Sequence, residues 1–247
     1  MNQYIIEACV DSVESAINAQ LGGADRVELC DNILEGGTTP SYASILLARK
    51  QLKIDLFVII RPRGGDFLYS DIELEIMHND ILKSKSMGAD GIVFGILEED
   101  GHIDIDNCRK LVELARPMKV TFHRAFDMSA DALKSMEDII SLGIDRILTS
   151  GQAASVPDGI STIKNLVKQA AGRIIIMPGG GIREENIDDI RKETGASEFH
   201  VSLRTKLESG MKFKKNGVFM GSEMLPEFSR KITNPDRIKN LREILNT

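Results

Sequence analysis

The chain has 247 residues, of which 42% are hydrophobic and 28% are charged. This composition is typical of a soluble globular protein with enough apolar side chains to bury a large core, and it argues against intrinsic disorder. The formal net charge is −6 and the basic residues are scattered, which argues against a nucleic-acid or anionic-membrane surface but leaves room for local binding of a small anion.

Strand-like apolar runs alternate with amphipathic helical segments along the whole chain, which is typical of parallel α/β architecture. Each of eight runs precedes a helical stretch, and about 250 residues is the usual length of one α/β barrel. No linker rich in Pro, Gly or Ser divides the chain, so we expect a single domain over residues 1–247. The strands are predicted near residues 4–9, 25–30, 55–61, 90–94, 117–123, 145–149, 173–177 and 197–202.

A weak internal repeat favours a closed barrel over an open sheet. In each copy, a glycine suited to the left-handed conformation at a helix C-terminus precedes a short turn and a buried strand. The copies fall at even-numbered strands and are GGADRVEL (22–29), GADGIVFG (88–95), GIDRILTS (143–150) and GASEFHVS (195–202). We therefore predict a TIM-type (β/α)8 barrel, in which functional groups gather at the C-terminal ends of the strands.

Polar residues mark two helix starts, and one segment breaks the alternation. Ser70–Glu73 and Asp11–Glu14 each place a short polar residue three positions before a glutamate, which predicts helix N-termini. Residues 210–228 mix Gly, Lys and apolar side chains, so we expect an irregular excursion after the eighth strand and before a final helix from about Asp236. The sequence leaves open whether this excursion forms an oligomer contact.

Neither a targeting segment nor a short-spaced metal motif is found. The N-terminal residues lack the pattern of a secretory signal, and the longest apolar runs are too short to cross a bilayer, so a cytoplasmic protein is expected. Cys9, Cys30 and Cys108 form no CxxC pair and no zinc-type spacing. In a reducing compartment they should be free thiols, and each is by default a small buried hydrophobic residue.

Strand alternation predicts which polar side chains face the barrel interior. Alternate residues of a strand face opposite ways, so Glu7 and Cys9 share one face, as do Glu28 and Cys30 on the next strand. The apolar residues between them would pack against the helices, which turns the carboxylates and thiols inward near the mouth. The same argument turns inward Thr121, His123, Glu198, His200 and Ser202 on strands five and eight.

The mouth would therefore hold a mixed set of acidic, imidazole and basic groups. Arg61 and Arg63 lie at the end of the third strand, where they could contact an anion. The structural alternative is that Arg26, Arg61 and the glutamates only neutralise one another as buried pairs, and that either histidine is a satisfied core residue. If the protein is an enzyme, the acid or base candidates are Glu7, Glu28, His123, Asp127 and His200.

A glycine-rich loop follows the seventh strand. Consecutive glycines let backbone amides turn toward a ligand, and barrels often bind phosphate with the loops after strands seven and eight. The alternative is a tight strand-to-helix turn that binds nothing. The candidate anion ligands of this region are Gly179, Gly180, Gly181 and Ser202.

Several long strings of residues are similar to the CutC family: EACVDS, GGADRVELC, EGGTTPS, RPRGGDFLYS, GADGIVFG, TFHRAFD, LTSG, MPGGGI and EFHVS. The resemblance covers nearly the whole chain. It implies a TIM-type barrel, a cytoplasmic and often self-associated protein, and a role in copper homeostasis without an established catalytic reaction. The family's proposed Cu(I) ligands are cysteines in the motifs matching EAC and ELC, which are Cys9 and Cys30 here.

Three functions are compatible with these residues. Cu(I) is a soft ion that prefers thiolate sulfur and tolerates two ligands, so Cys9 and Cys30 would suffice in a copper-binding or copper-handling protein. The polar mouth instead favours an enzyme acting on a small anionic or phosphorylated metabolite, since Cu(I) requires neither histidines nor carboxylates. A divalent ion held by Glu and His is a variant of that hypothesis. A scaffold barrel that has lost its chemistry is a weaker third hypothesis.

Overall fold

The computed structural model describes residues 4–215, 217–220 and 226–247. Eight parallel strands alternate with helices in the predicted order. The strands are β1 (Ile5–Val10), β2 (Arg26–Leu29), β3 (Asp55–Ile59), β4 (Gly91–Phe94), β5 (Lys119–Phe122), β6 (Arg146–Thr149), β7 (Ile175–Pro178) and β8 (Glu198–Val201). The helices are α1 (Val13–Leu21), α2 (Tyr42–Gln51), α3 (Asp71–Ser86), α4 (Ile105–Ala115), α5 (Ala132–Ser141), α6 (Val156–Ala170), α7 (Ile187–Thr194) and α8 (Pro235–Leu245).

The eight strands form a barrel. Their hydrogen-bonded order is β7-β6-β5-β4-β3-β2-β1-β8, and the two ends of this sheet meet at a parallel bridge between Gly179 and His200. The prediction of a TIM-type barrel is therefore confirmed. The main apolar core fills the layer between strands and helices, and it contains the residues predicted to face the helices: Ile6, Ala8, Val27 and Leu29.

An aromatic ring occupies the barrel interior. Phe57 of β3 is buried, and its ring centroid lies 4.8 Å from the Cζ atom of Arg26 and 5.0 Å from that of Arg146. Gly91 on β4 makes room for the ring, because a Cβ atom at that position would lie only 2.5 Å from it. The interior below the mouth is thus packed with side chains, as in other barrels of this type.

The start of α3 is as predicted, whereas that of α1 is shifted by one residue. The Ser70 Oγ accepts from the Glu73 N–H, and the Glu73 carboxylate accepts from the Ser70 N–H at 2.8 Å, which completes a capping box. At α1 the N-cap is Ser12 rather than Asp11. The prediction is wrong there because the Asp11 carboxylate pairs with Arg204 at 2.9 Å.

A two-stranded hairpin follows β8. Strand β9 (Arg204–Glu208) pairs antiparallel with β10 (Ser229–Thr233). Basic and polar residues dominate both strands, and only Leu207 and Ile232 are apolar, so they lack the apolar alternation that identifies strands in the sequence. The predicted excursion over 210–228 joins these strands, and its residues 216 and 221–225 lie outside the described residues. Among the described residues, no helix has the length and hydropathy needed to cross a bilayer.

Candidate functional site at the barrel mouth

A cavity of about 310 Å³ lies at the C-terminal ends of the strands. Its walls combine strand-end residues with the loops that follow the third and fifth strands. Because parallel strands end at the same rim of a barrel, side chains far apart in the chain converge here. The predicted site residues that line this first cavity are Cys9, Glu28, Arg61, His123, Asp127 and His200.

Three of these side chains lie close enough together to hold one metal ion. One donor atom each from Cys9, Glu28 and His200 lies within 4.8 Å of the other two, and the His200 Nε2 is 3.7 Å from a Glu28 carboxylate oxygen. Strand β1 carries Cys9 opposite Glu28 of β2, while β8 borders β1 on its other side. A sulfur, an imidazole nitrogen and a carboxylate oxygen form a donor set for a soft or borderline metal ion.

Glu7 orients His200 from below. Its Oε1 lies 2.7 Å from the His200 Nδ1, which leaves Nε2 available to a ligand, and such carboxylate–imidazole pairs commonly fix metal-binding histidines. Burial alone would raise the pKa of Glu7, but Arg26 and His200 hold the pKa of this fully buried carboxyl well below its usual range. In the structure Glu7 is therefore a charged positioning group.

Cys30 lies beside Cys9. The two Sγ atoms are 4.0 Å apart, and the Cys30 thiol also donates to the Val10 carbonyl at 3.4 Å. Cys30 is buried, whereas Cys9 is partly exposed. The hydrogen bond with Cys30, together with burial and the charge of Glu28, raises the pKa of the Cys9 thiol well above its ordinary value, so this thiol carries its proton at neutral pH.

The Glu28 carboxyl beside His200 is only partly hydrogen-bonded. Burial raises the pKa of Glu28, and its Oε1 has no hydrogen-bond partner among the described residues. Burial also opposes a charge on His200, yet Cys9, Glu28 and Glu7 together raise the pKa of this imidazole well above its ordinary value. A buried carboxylate oxygen without a partner is costly, and a cation bound beside Glu28 would remove that cost.

His123 contributes a neutral imidazole to the same cavity. Burial and the charge of Arg61 lower the pKa of His123 to about 3. Its Nδ1 accepts from the Ala125 N–H at 3.2 Å, which places the ring proton on Nε2, and no described residue accepts from that atom. The Phe67 ring packs against both His123 and Arg61, with its centroid 4.9 Å from the centroid of the His123 ring and 5.1 Å from the Arg61 Cζ.

Arg61 is a buried cation whose hydrogen bonds go to neutral groups. Its guanidinium donates to the carbonyls of Glu35, Gly37 and Gly65 at 2.7 to 2.8 Å, with no carboxylate partner among the described residues. Arg63, in contrast, lies outside the cavity, because Asp66 and Glu73 hold it on the surface of its loop.

Asp127 lines the cavity but is fully engaged by its neighbours. Its carboxylate accepts from the Thr149 hydroxyl at 2.5 Å and from the Ser150 N–H, and it pairs with Arg124 at 2.6 Å. Since both oxygens are occupied, the structure shows Asp127 as an anchor for the loop after β6.

A second cavity of about 460 Å³ adjoins the first and shares part of its wall, including Cys9, Arg124 and His200. All four anion candidates of this region line it: Gly179, Gly180, Gly181 and Ser202. The sequence reasoning missed the basic residues that complete it, Arg204, Lys231 and Arg237. They belong to the β9–β10 hairpin and α8, and no motif in the sequence connects those segments to the glycine loop.

A buried ion network lies beneath both cavities. Arg26 pairs with Glu7 and, at 2.6 Å, with Glu198, while Arg146 pairs with Glu198 at 3.2 Å. The structural alternative, in which buried arginines and glutamates neutralise one another, holds for Arg26 in this layer. It does not hold for Arg61, which bonds to carbonyl groups. Arg146 was missed from the sequence although a signal was present, since it directly follows the aspartate of GIDRILTS as Arg26 directly follows the aspartate of GGADRVEL.

The fold and the site define a (β/α)8 barrel whose mouth holds a thiol, an imidazole and a carboxylate within reach of one ion. The model of the CutC family matches residues 4–205, and the chain belongs to this family. The copper homeostasis protein cutC homolog of Mus musculus is 51% identical over 244 residues, covering 98% of this chain and 90% of the mouse protein.

Solved structures agree with the fold. A crystal structure of a CutC protein from Streptococcus agalactiae superposes with a TM-score of 0.78 and 39% identity, covering 81% of this chain and 99% of that one. Thiamine phosphate pyrophosphorylase from Pyrococcus furiosus superposes with a TM-score of 0.62 and 17% identity, covering 99% of this chain and 96% of that one. The second likeness concerns the barrel fold alone.

Proposed function

We propose that this protein binds Cu(I) through the thiolates of Cys9 and Cys30 as its part in copper homeostasis, and that it does so in the cytoplasm. The observation that carries this proposal is the 4.0 Å separation of the two Sγ atoms, which lets both sulfurs reach one ion. Cu(I) is satisfied by two soft ligands. Because neighbouring barrel strands hold the two cysteines, little rearrangement is needed to bind it.

His200 supplies a third donor beside this pair. Its Nδ1 is held by Glu7, so its Nε2 can approach an ion bound at Cys9. The raised pKa values of Cys9 and His200 mean that both groups carry protons in the metal-free protein. Metal binding must release these protons, and Cu(I) affinity should therefore increase with pH.

Anaerobic Cu(I) competition titration tests the proposal. We expect tight binding by the parent protein and loss of that binding in Cys9→Ser and in Cys30→Ser. Cys108→Ala is the matched control, because Cys108 is buried on α4 away from the cavity. If both single serine variants bind Cu(I) as the parent does, the assignment fails.

A second candidate function is catalysis on a small anionic molecule in the first cavity. It is favoured by two unpartnered polar atoms on residues of that cavity, the His123 Nε2 and the Glu28 Oε1. A neutral imidazole can donate to an oxyanion, and a carboxyl with a raised pKa can act as an acid. Copper binding by two thiolates gives His123 no role.

Thermal-shift screening with organic acids and sugar phosphates tests this candidate, followed by NMR detection of turnover. His123→Gln should abolish turnover while leaving Cu(I) affinity unchanged. A broad panel without any stabilising compound would count strongly against catalysis.

We also expect the protein to self-associate. Exposed apolar side chains between β9 and β10 support this expectation, among them Met211, Phe213 and Phe219. Light scattering coupled to size-exclusion chromatography measures the mass directly, and a monomeric mass at micromolar concentration would contradict it.

A further inference from the structure

The second cavity is lined by basic side chains and, within the described part of the chain, by no acidic ones. This local excess of positive charge stands in a chain whose formal net charge is −6. A concave, low-dielectric wall of one sign concentrates ligands of the opposite sign. The basic residues of the lining are Arg124, Arg183, Arg204, Lys231 and Arg237.

Three of these cations are fixed in place by salt bridges, and the other two form no salt bridge within the part of the chain that the structure describes. The fixed arginines are held by carboxylates outside the lining: Arg124 by Asp127 at 2.6 Å, Arg204 by Asp11 at 2.9 Å and Arg237 by Glu184 at 2.6 Å. Arg183 and Lys231 form no salt bridge with any described residue. The three salt-bridged guanidinium groups have fixed positions and can orient a ligand. Arg183 and Lys231 give the cavity its net positive charge.

The glycine loop presents bare backbone to this cavity. Gly180 and Gly181 have positive φ angles of 112° and 81°, which residues with side chains rarely adopt. A Cβ atom at Gly179 would lie 2.4 Å from Leu148, so a larger residue there would press on a side chain that lines the first cavity. Successive backbone groups in such turns form concave anion sites, and the Ser202 hydroxyl lies on the same wall.

We propose that the second cavity binds the phosphate group of a small phosphate ester, whose organic part extends into the first cavity toward His200. Two cations without a salt-bridge partner match a dianionic phosphate better than a singly charged carboxylate, and the glycine backbone and arginine forks suit its several oxygens. The volume of about 460 Å³ accommodates such a group. The proposal rests on the second candidate function, for which it names a substrate class, and it does not require copper binding, although the two cavities share Cys9 and His200.

Isothermal titration calorimetry on the full chain tests the proposal. The probes are inorganic phosphate, a set of sugar monophosphates and the same sugars without phosphate. We expect at least one ester to bind more tightly than both inorganic phosphate and its unphosphorylated sugar. Arg183→Ala and Lys231→Ala should each weaken ester binding by about tenfold or more.

The matched control is Arg109→Ala, an exposed arginine of α4 on the opposite side of the barrel from β8, which should bind the ester as the parent does. Equal ester affinity in the parent and in an Arg183→Ala, Lys231→Ala double variant would overturn the proposal. The proposal would also be overturned if the unphosphorylated sugars bound as tightly as their esters. It would equally be overturned if none of the phosphorylated probes bound. Cu(I) titration of the double variant provides a separate readout, because the sulfur ligands are unchanged.

Discussion

The barrel interior contains two layers of polar and charged groups that differ in how completely their atoms are paired. In the lower layer, Glu7, Arg26, Arg146 and Glu198 form a continuous buried network of ion pairs. In the upper layer, at the mouth, Glu28 and His123 each have a buried polar atom without a partner. Both layers lie inside the same eight strands and are buried to a similar degree.

This difference suggests separate roles: the paired groups of the lower layer stabilise the fold, and the incompletely paired groups of the upper layer are available to bind a ligand. A buried ion pair stabilises the fold only while both partners are present, so the lower layer should be sensitive to any loss of charge. An unpartnered buried group costs stability in the free protein and is retained where a ligand can satisfy it. The upper layer should therefore tolerate neutral substitutions and lose binding instead.

The largest effect on stability is expected in the lower layer. Arg26→Met keeps most of the side-chain volume but leaves Glu7 and Glu198 short of their counter-charge, and we expect a loss of about 3 to 5 kcal/mol in the free energy of unfolding. Urea denaturation followed by circular dichroism measures it. Arg173→Ala, which removes an exposed pair with Glu137, is the control and should unfold at the parent's midpoint. Equal midpoints for both variants would contradict a structural role for this network.

His123 should produce a smaller, pH-dependent effect. Its folded-state pKa of about 3 lies below the unfolded value of about 6.5, so stability from the neutral ring is fully present above about pH 6.5 and is lost as the pH falls toward 3. Between pH 7 and pH 5 this residue should account for about 2 kcal/mol of the lost free energy of unfolding. His123→Gln should flatten that part of the pH profile. If His123→Gln and the surface control His78→Gln gave the same pH profile of unfolding free energy, the lowered pKa of His123 in the folded protein would be contradicted.

The smallest effect on stability is expected at Glu28. Burial raises the pKa of this carboxyl. At pH 7, which lies above the ordinary pKa of a glutamate, the charged form is therefore less favourable in the folded protein than in the unfolded chain. Glu28→Gln removes that penalty, and the variant should unfold at the same denaturant concentration as the parent or a higher one. A marked drop in the midpoint would place Glu28 in the structural network with Glu7.

Much of the fold and of the first cavity could be predicted from the sequence. The alternation of apolar runs and helices specified the strand order, and the two-residue period of each strand turned Glu7, Cys9, Glu28 and His200 toward the interior. These inferences succeeded because a buried parallel strand leaves each side chain only two directions. The internal repeat also relates Arg146 to Arg26, so the sequence contains a signal for both arginines of the lower layer.

The remaining features depend on tertiary contacts that no local pattern encodes. From its sequence position, Asp127 could be either a free catalytic base or an anchor for a loop. Only its contacts at the end of β6, with Thr149 and Ser150, decide between the two roles. The neutral state of His123 follows from burial and from the nearby charge of Arg61. Lys231 and Arg237 line the same cavity as the glycine loop because β10 pairs with β9 and α8 packs against α7 and α1, and the hairpin strands carry no apolar alternation that would predict them.

X-ray absorption spectroscopy of the Cu(I)-loaded protein tests the central claim most directly, because it counts sulfur ligands at the metal. Two copper–sulfur bonds are predicted for the parent, and a single one for any copper retained by Cys30→Ser. A copper ion bound only by nitrogen and oxygen in the parent, or a sulfur count unaffected by both Cys9→Ser and Cys30→Ser, would contradict the account.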